Sequence, residues 1–372
     1  MNVTQDLLKW FDKNRRRHLP WREDPSPYHV WISEIMLQQT RVEAVLGYYR
    51  RFMDRLPHLQ DLAEVAEEEL LKLWEGLGYY SRAKNLKKAA IQVQAEYQGC
   101  LPGEKKELLK LPGIGPYTAG AISSIAFGHP EIAPDGNAYR VMARLFQEEG
   151  ILQETATKKR LEKHLQDWLP DDRPGDFNQA LMDLGALVCI PNGQPYCDRC
   201  PFFTACLARQ TGIARELPHR KKKKQRRIEK WTLLLFLKEG RLLLERRPEK
   251  GLLSGLWGLP MWEGRPGEAT LRRTFQIMKD PSGGEPLALQ SLRHLGRQKH
   301  VFSHVEWDME AYEIQLVRAK DIVLQAGEAA EGYLGSTENF SFQSPVIWAN
   351  PEEVTDKYSI PRAFQRFFLE TL

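Results

Sequence analysis

Between Leu111 and Tyr117 the chain reads Leu-Pro-Gly-Ile-Gly-Pro-Tyr, a stretch that has to end one helix and begin another. Lys105 to Lys110 has helical composition, Pro112-Gly113 breaks it, and Pro116 suits a first helical position, where its missing N–H costs nothing. A helix of small residues follows. This hairpin predicts that the backbone N–H groups of Gly113, Ile114 and Gly115 face outward. Such a helix start binds anions, phosphates included, through unpaired donors and its dipole. A Rossmann loop is excluded, because it needs Gly-x-Gly-x-x-Gly after a strand; here Gly120 comes too late and a helix precedes. The competing structural reading is a plain turn between packed helices.

Two acids add chemistry to that hairpin. Glu34 lies in Val30-Trp31-Ile32-Ser33-Glu34-Ile35-Met36-Leu37, a helix apolar on nearly every side and therefore buried. An ionised carboxylate there is costly unless paired, and burial raises its pKa toward the range of a general acid. Asp135, in Pro134-Asp135-Gly136-Asn137, also has an ordinary explanation as turn and N-cap chemistry before a helix from Asn137 to Phe146. Two carboxylates in unlike environments suit cleavage of a glycosidic bond, where one protonates the leaving group and the other stabilises an oxocarbenium-like centre.

Four of the five cysteines form a third constellation, Cys189, Cys197, Cys200 and Cys206, in the spacing C-x7-C-x2-C-x5-C directly after a Phe177 to Val188 helix. Thiolates so close in sequence imply a metal centre rather than disulfides. The chain opens without an apolar signal segment, so a reducing cytoplasm is the expected compartment. Zinc ribbons show two C-x2-C knuckles and this chain shows one. The spacing therefore favours a [4Fe-4S] cluster and leaves zinc open. Cys100 is left over as a buried or idle thiol.

At 372 residues the chain is comfortable for two domains. With 27% charged residues and no apolar run of membrane length, it is expected to be soluble, with no membrane partner. Charge is concentrated in Arg15-Arg16-Arg17, in an Arg82-Lys84-Lys87-Lys88 face and in the run His219 to Arg227. Like charges repel and stay extended, so that run reads as a tether able to neutralise phosphates. Up to about residue 215 the chain reads as successive helices. Beyond Lys230, Trp231 to Leu237 and Arg241 to Glu245 read as strands joined at Glu239-Gly240, and Val305 to Ile314 alternates. Helical pieces follow Pro351 and Pro361. The expected division is 1–215, 216–229 as linker, and 230–372.

Taken together these residues resemble the MutY-type adenine DNA glycosylases of the helix-hairpin-helix, endonuclease III superfamily. The likeness runs through Leu19-Pro20-Trp21-Arg22, Trp31 to Thr40, Gly76 to Ala83, the hairpin, Asp135-Gly136-Asn137 and Phe177 to Gly185. The fold class it implies is multi-domain: an all-α helix-hairpin-helix glycosylase domain with an iron-sulfur cluster in the 189–206 loop, plus an α+β Nudix-like (MutT-like) C-terminal domain. The implied partner is double-stranded DNA containing an adenine:8-oxoguanine mispair, bound by a monomer in the bacterial cytoplasm, associated with the nucleoid.

The same resemblance implies roles. Glu34 protonates N7 of a flipped adenine, and Asp135 stabilises the sugar cation. Tyr117 stands where lyase relatives carry a Schiff-base lysine, which implies a glycosylase that leaves an abasic site. Asn137 holds the Asp135 network, while Trp21, Arg22 and Gln179 surround the flipped base. A flipped base leaves a gap, which Leu77 and Tyr79 would wedge, with Gln39 and Thr40 beside the partner base. In the C-terminal domain Gly251 to Pro260 matches the MutT-like fold, and Phe302-Ser303-His304 matches the loop that inspects 8-oxoguanine. The helix near Glu268 to Thr274 has a single Glu, so no pyrophosphatase activity is expected. One departure is the first cysteine interval, seven residues against the family's six, in a loop with Pro191, Gly193 and Pro195 that can absorb it. Two other readings compete: a bifunctional endonuclease III-like glycosylase and lyase acting on oxidised pyrimidines, and a non-catalytic damage-binding protein.

Overall fold

The computed structural model of the protein describes residues 3–221, 225–321 and 340–369. Met1-Asn2, Lys222, Lys223 and Lys224 of the basic run, and the last residues of the domain expected to end at 372 lie outside the described residues. The chain divides into two compact units, Met1–Val65 with Ser81–Lys223, and Ala66–Tyr80 with Lys224–Leu372. None of the described helices is long and apolar enough to cross a membrane.

The first unit is helical. Its packing follows the 3.6-residue period: Val141, Met142 and Leu145 on the Gly136–Leu145 helix meet Phe177, Leu181 and Leu184 on the Pro174–Leu187 helix. Leu7 and Phe11 of the Val3–Asn14 helix close the same core. Each such side chain contributes roughly 1.5–3 kcal/mol by leaving water.

The expected hairpin is present. The Lys105–Leu108 helix unwinds through Leu111, and the Pro116–Phe127 helix starts with Pro at its first turn and Gly115 as its cap. Gly113 adopts φ +79°, and a Cβ there would lie 2.8 Å from Asn85 Cβ, so the position excludes side chains twice over. One expectation needs correction. Ile114 does not present its N–H outward; it donates to Leu111 O at 3.2 Å and its side chain is buried, leaving the exposed Gly113 and Gly115 at the tip.

Among the described residues the second unit is built on a mixed eight-stranded sheet: β1 (Arg227–Lys238), β2 (Arg241–Arg246), β3 (Trp257–Gly258), β4 (Met261–Glu263), β5 (Ile277–Met278), β6 (Leu287–Val301), β7 (Val305–Arg318) and β8 (Val346–Ala349). The order is β3-β2-β1-β7-β6-β5, with β4 also on β1 and β8 on β2. β1 and β7 run parallel, and β6 and β7 antiparallel. Leu233 and Leu235 of β1 face one core, while Leu234 and Phe236 face the other. A strand covered on both faces reads as an unbroken apolar run, which is why β1 was legible. The β1–β2 connection is the expected two-residue Glu239-Gly240 turn, both residues at positive φ.

β6 was not anticipated. Its length is carried by charged cross-strand pairs on β7, Arg293–Glu313 at 2.6 Å, Arg297–Glu310 at 3.1 Å and Lys299–Glu306 at 3.0 Å, so its sequence lacks apolar alternation. Ala66–Tyr80, expected within 1–215, belongs instead to the second unit. Lys72 Nζ donates to Tyr358 O at 3.1 Å, and Ile360 N–H donates to Glu75 Oε1 at 2.7 Å.

The start of the expected linker is also fixed. Leu152 N–H donates to His219 O at 3.0 Å, and Lys221 N–H to Gln153 Oε1 at 3.1 Å. Cys100 is exposed rather than buried.

Helix approach sets one sharp constraint in the first unit. A Cβ on Gly120, inside the Pro116–Phe127 helix, would meet Ile132 O at 2.1 Å. Gly120→Ala is therefore expected to destabilise the unit by roughly 1–3 kcal/mol, since backbone must move to admit the methyl. Urea denaturation of the variant beside the parent measures it; an unchanged midpoint would contradict that close approach.

Candidate active site

The Pro27–Leu37 helix is N-capped by Ser26, whose Oγ accepts the His29 N–H, and Val30 to Met36 are all buried. Glu34 sits within that run with 7% of its surface exposed. The Pro116–Phe127 helix brings Tyr117 against it in its first turn, and the Tyr117 hydroxyl donates to Glu34 Oε2. Burial pushes the Glu34 carboxyl up to about 7. The Tyr117 hydrogen bond opposes that rise, the Asp135 charge adds to it, and the Arg22 guanidinium lowers it. Burial drives the Tyr117 hydroxyl well above its ordinary value, with the Glu34 charge next in importance, so it is a neutral donor.

Asp135 is the N-cap of the Gly136–Leu145 helix, as its structural reading required, with Oδ1 accepting the Ala138 N–H at 2.7 Å. That leaves Oδ2, which accepts from Asn137 Nδ2 at 2.6 Å. Burial raises the Asp135 pKa, and these two donors hold it down. Asn137 Oδ1 in turn accepts from Arg140 Nη2 at 2.7 Å. Capping and a place in the acid pair are therefore compatible uses of one side chain.

Both carboxylates line an open cleft of about 980 Å³, ample for a nucleoside. Trp21, Arg22, Gln39, Thr40, Gly113, Gly115, Tyr117, Asn137 and Gln179 line the same cleft. Ile114 does not. Gln39 is held at φ +58°, a conformation that costs roughly 1–3 kcal/mol in a non-glycine residue and is concentrated at functional sites. Leu77, Tyr79, Phe302, Ser303 and His304 belong to the second unit. There Tyr79 is 47% exposed at φ +49° and its hydroxyl lies 2.8 Å from Ser303 Oγ, whereas Leu77 is buried at 8%.

Several residues of the site were missed from sequence. Asp183, fully buried on the Pro174–Leu187 helix, receives Arg22 Nη1 at 2.7 Å and Arg16 Nη2 at 2.6 Å. The rule that singled out Glu34, an acid inside an apolar helix, would have found Asp183 too. Arg140 donates from Nε to Cys189 O at 2.8 Å, and Arg144 from Nη1 to Cys189 Sγ at 3.3 Å.

Cys189, Cys197, Cys200 and Cys206 are free thiols that line one cavity, together with Arg144, Phe203 and Arg209. Burial pushes the Cys200 thiol up to about 12 and raises Cys197 and Cys206 as well. Thiols so placed become thiolates only against a metal charge. Among the described residues no group of three or more His, Cys, Asp or Glu is arranged to hold a single metal ion.

Glu34 also links the site to stability. Its folded pKa of about 7 lies above the ordinary value of 4.5, so the folded state is favoured below the lower value and loses that advantage as pH rises through the upper one. The difference is on the order of 3 kcal/mol. Glu34→Gln is expected to be more stable than the parent above pH 7 and equal to it near pH 4. Denaturant midpoints at the two pH values check this, and parallel curves would show that Glu34 is not buried in its ionised form.

Comparison with known proteins places this geometry. Residues 32–171 match the HhH-GPD superfamily base excision DNA repair protein family, and residues 232–370 match the NUDIX domain family. Adenine DNA glycosylase from Homo sapiens is 36% identical over 364 residues, covering 83% of this chain and 66% of the human protein. Adenine DNA glycosylase from Buchnera aphidicola subsp. Schizaphis graminum is 35% identical over 260 residues, covering 70% of this chain and 75% of that protein. Mouse adenine DNA glycosylase is 35% identical, over 84% of this chain and 70% of its own length. Among solved structures, a thermostable thymine-DNA glycosylase superposes with a TM-score of 0.50 at 29% identity, covering 56% of this chain and 95% of that one. The chain therefore belongs to the adenine DNA glycosylases, base-excision DNA repair enzymes of the HhH-GPD superfamily, and carries a C-terminal NUDIX domain.

Proposed function

We propose that this glycosylase removes adenine mispaired with 8-oxoguanine, and also adenine opposite guanine, by hydrolysing the N-glycosidic bond and leaving an abasic site. The observation that carries the proposal is Glu34, protonatable near neutral pH and held by Tyr117 in the cleft that also contains Asp135. The glycosidic bond is inaccessible inside a duplex, so adenine must first leave the stack at a cost of about a few kcal/mol. Glu34 then gives its proton to N7, the C1′–N9 bond breaks toward the base, and neutral adenine departs. Asp135 faces the electron-poor C1′, either as a charge or as an oxygen that bonds to it. Water attacks from the face the base left and returns a proton to Glu34, which retains configuration.

Tyr117 supplies a hydroxyl where a lyase needs an amine, so no Schiff base forms and the strand stays intact. In the second unit, Tyr79 is the exposed wedge, and Phe302, Ser303 and His304 read the partner base. Gly113 and Gly115 at the hairpin tip take a backbone phosphate. The protein acts as a monomer on one lesion.

We also assign a [4Fe-4S] cluster to the four cysteines. Zinc ribbons show two C-x2-C knuckles where this chain shows one, and all four thiols line a single cavity, which fits a cluster held by four cysteines. Arg144 on Cys189 Sγ and the nearby Arg209 balance thiolate charge. Such a cluster, when bound, supplies structure to the 189–206 loop. Cys200→Ser is expected to lack the iron chromophore in its absorption spectrum and to melt at lower temperature than the parent. Retention of both by the variant would remove Cys200 from the ligand set.

The deciding assay is single-turnover base release from duplexes holding adenine opposite 8-oxoguanine, guanine or thymine, with alkali used to reveal abasic sites. Product is expected only after alkali, and only from the first two duplexes. Scission without alkali would point to lyase chemistry instead. Glu34→Gln is expected to slow release by roughly 10²–10⁴-fold, the worth of a general acid. Because protonated Glu34 and ionised Asp135 are both required, the parent's rate falls as pH rises through about 7 and falls again in acid. A rate that is flat from pH 6 to pH 9 would exclude Glu34 as the proton donor.

A further inference from the structure

The Phe302–His304 turn joins β6 to β7, closed by Phe302 N–H donating to Val305 O at 2.8 Å. Ser303 and His304 are exposed at its tip, and Phe302 turns back onto the sheet. The Phe302 ring meets Trp307 edge-on with centroids 4.8 Å apart, and His300 at 4.7 Å. Trp307 is therefore the wall against which the turn rests.

What fixes Trp307 lies on β1. Its indole N–H donates to Glu229 Oε2 at 2.9 Å, and the Trp231 indole N–H donates to the same oxygen at 3.3 Å. Arg227 pairs with Glu229 Oε1. Next to it in the chain, Arg226 Nε donates to Phe302 O at 3.1 Å. A buried indole N–H needs an acceptor, and one carboxylate serving two indoles fixes both ring planes. Losing that acceptor would leave the Trp307 N–H without its charged partner and remove what holds the ring plane against Phe302.

We propose that Glu229 is a positioning residue for recognition of the partner base: it locks Trp307, Trp307 locks Phe302, and the placement of Ser303 and His304 follows. Among the described residues the polar partners of Glu229 are Arg227, Trp231 and Trp307, none of them at the turn's tip. The proposal rests on the reading of Phe302–His304 as the segment that inspects 8-oxoguanine.

The experiment is single-turnover base release by the full-length protein from adenine:8-oxoguanine and adenine:guanine duplexes, with Ser303→Ala as reference. In Glu229→Ala the ratio of the two rate constants is expected to fall about tenfold, the order of one charge-assisted hydrogen bond, with the adenine:guanine constant retained. Glu229→Gln keeps an acceptor oxygen and is expected to recover most of the ratio. In nitrogen-15 tryptophan spectra the Trp231 and Trp307 indole signals should move while the other indoles stay. Trp307→Phe keeps an aromatic wall without the N–H, so it reports the same loss if Glu229→Ala does not fold. A ratio unchanged in the Glu229 and Trp307 variants but lowered in Ser303→Ala would overturn the proposal and spare the reading of the turn. An unchanged ratio in Ser303→Ala as well would overturn that reading and the proposal with it. Equal slowing on both duplexes would make Glu229 a purely structural residue and also overturn it.

Discussion

The fold is organised around a carboxyl group that is nearly buried in the wall of an open cleft. Glu34 lies in a helix whose Val30, Trp31, Ile35 and Met36 are buried, and among the described residues its hydrogen-bond donor is the Tyr117 hydroxyl. A hydroxyl donor is the right partner for such a group. It satisfies an oxygen without supplying the full charge that would drag the pKa back down, as an arginine at contact distance would. Arg22 stands near enough to act on Glu34 but spends its guanidinium on Asp183. The balance leaves a proton on Glu34 around neutrality and ready to be given away. The hairpin's packing matters because it delivers Tyr117: Pro116 starts the helix, Gly113 permits the turn before it, and Gly120 lets the helix approach Ile132.

Asp135 is handled in the opposite manner. It is half-buried where its partner is buried, and against the burial that raises its pKa it is given two donors, the Ala138 amide and the Asn137 side chain, which favour the charged form. Asn137 is itself oriented by Arg140, which also donates to the Cys189, Gly185 and Gly136 carbonyls. The acid that has to stay ionised is thus held by a run of hydrogen bonds that ends at the backbone of the first cysteine. Arg144, one turn further along the same helix, continues to that cysteine's sulfur. The loop of thiols and the candidate cleft share the Gly136–Leu145 helix as their common wall.

How much of this could be read without coordinates depended on range along the chain. The hairpin, the β1–β2 turn and the Asp135 cap are written in adjacent residues, so local rules recover them. Glu34 was legible because an acid in an apolar helix breaks a pattern. The partners that complete the site were not, since nothing near Arg16 or Arg22 in sequence announces an aspartate more than a hundred residues on. β6 escaped for a different reason: salt bridges to β7 replace the apolar alternation that marks a strand. The outward amide assigned to Ile114 failed because a turn tight enough to reverse the chain also consumes that N–H.

The excursion of Ala66–Tyr80 has a topological consequence. The backbone passes between the two compact units three times, after Val65, after Tyr80 and after Lys223, where a simple tandem of domains would need one crossing. A cut after Lys223 would therefore separate Ala66–Tyr80 covalently from the rest of the unit it packs with. The segment bearing Tyr79 thus packs with the C-terminal unit while lying, along the chain, inside the span of the N-terminal one.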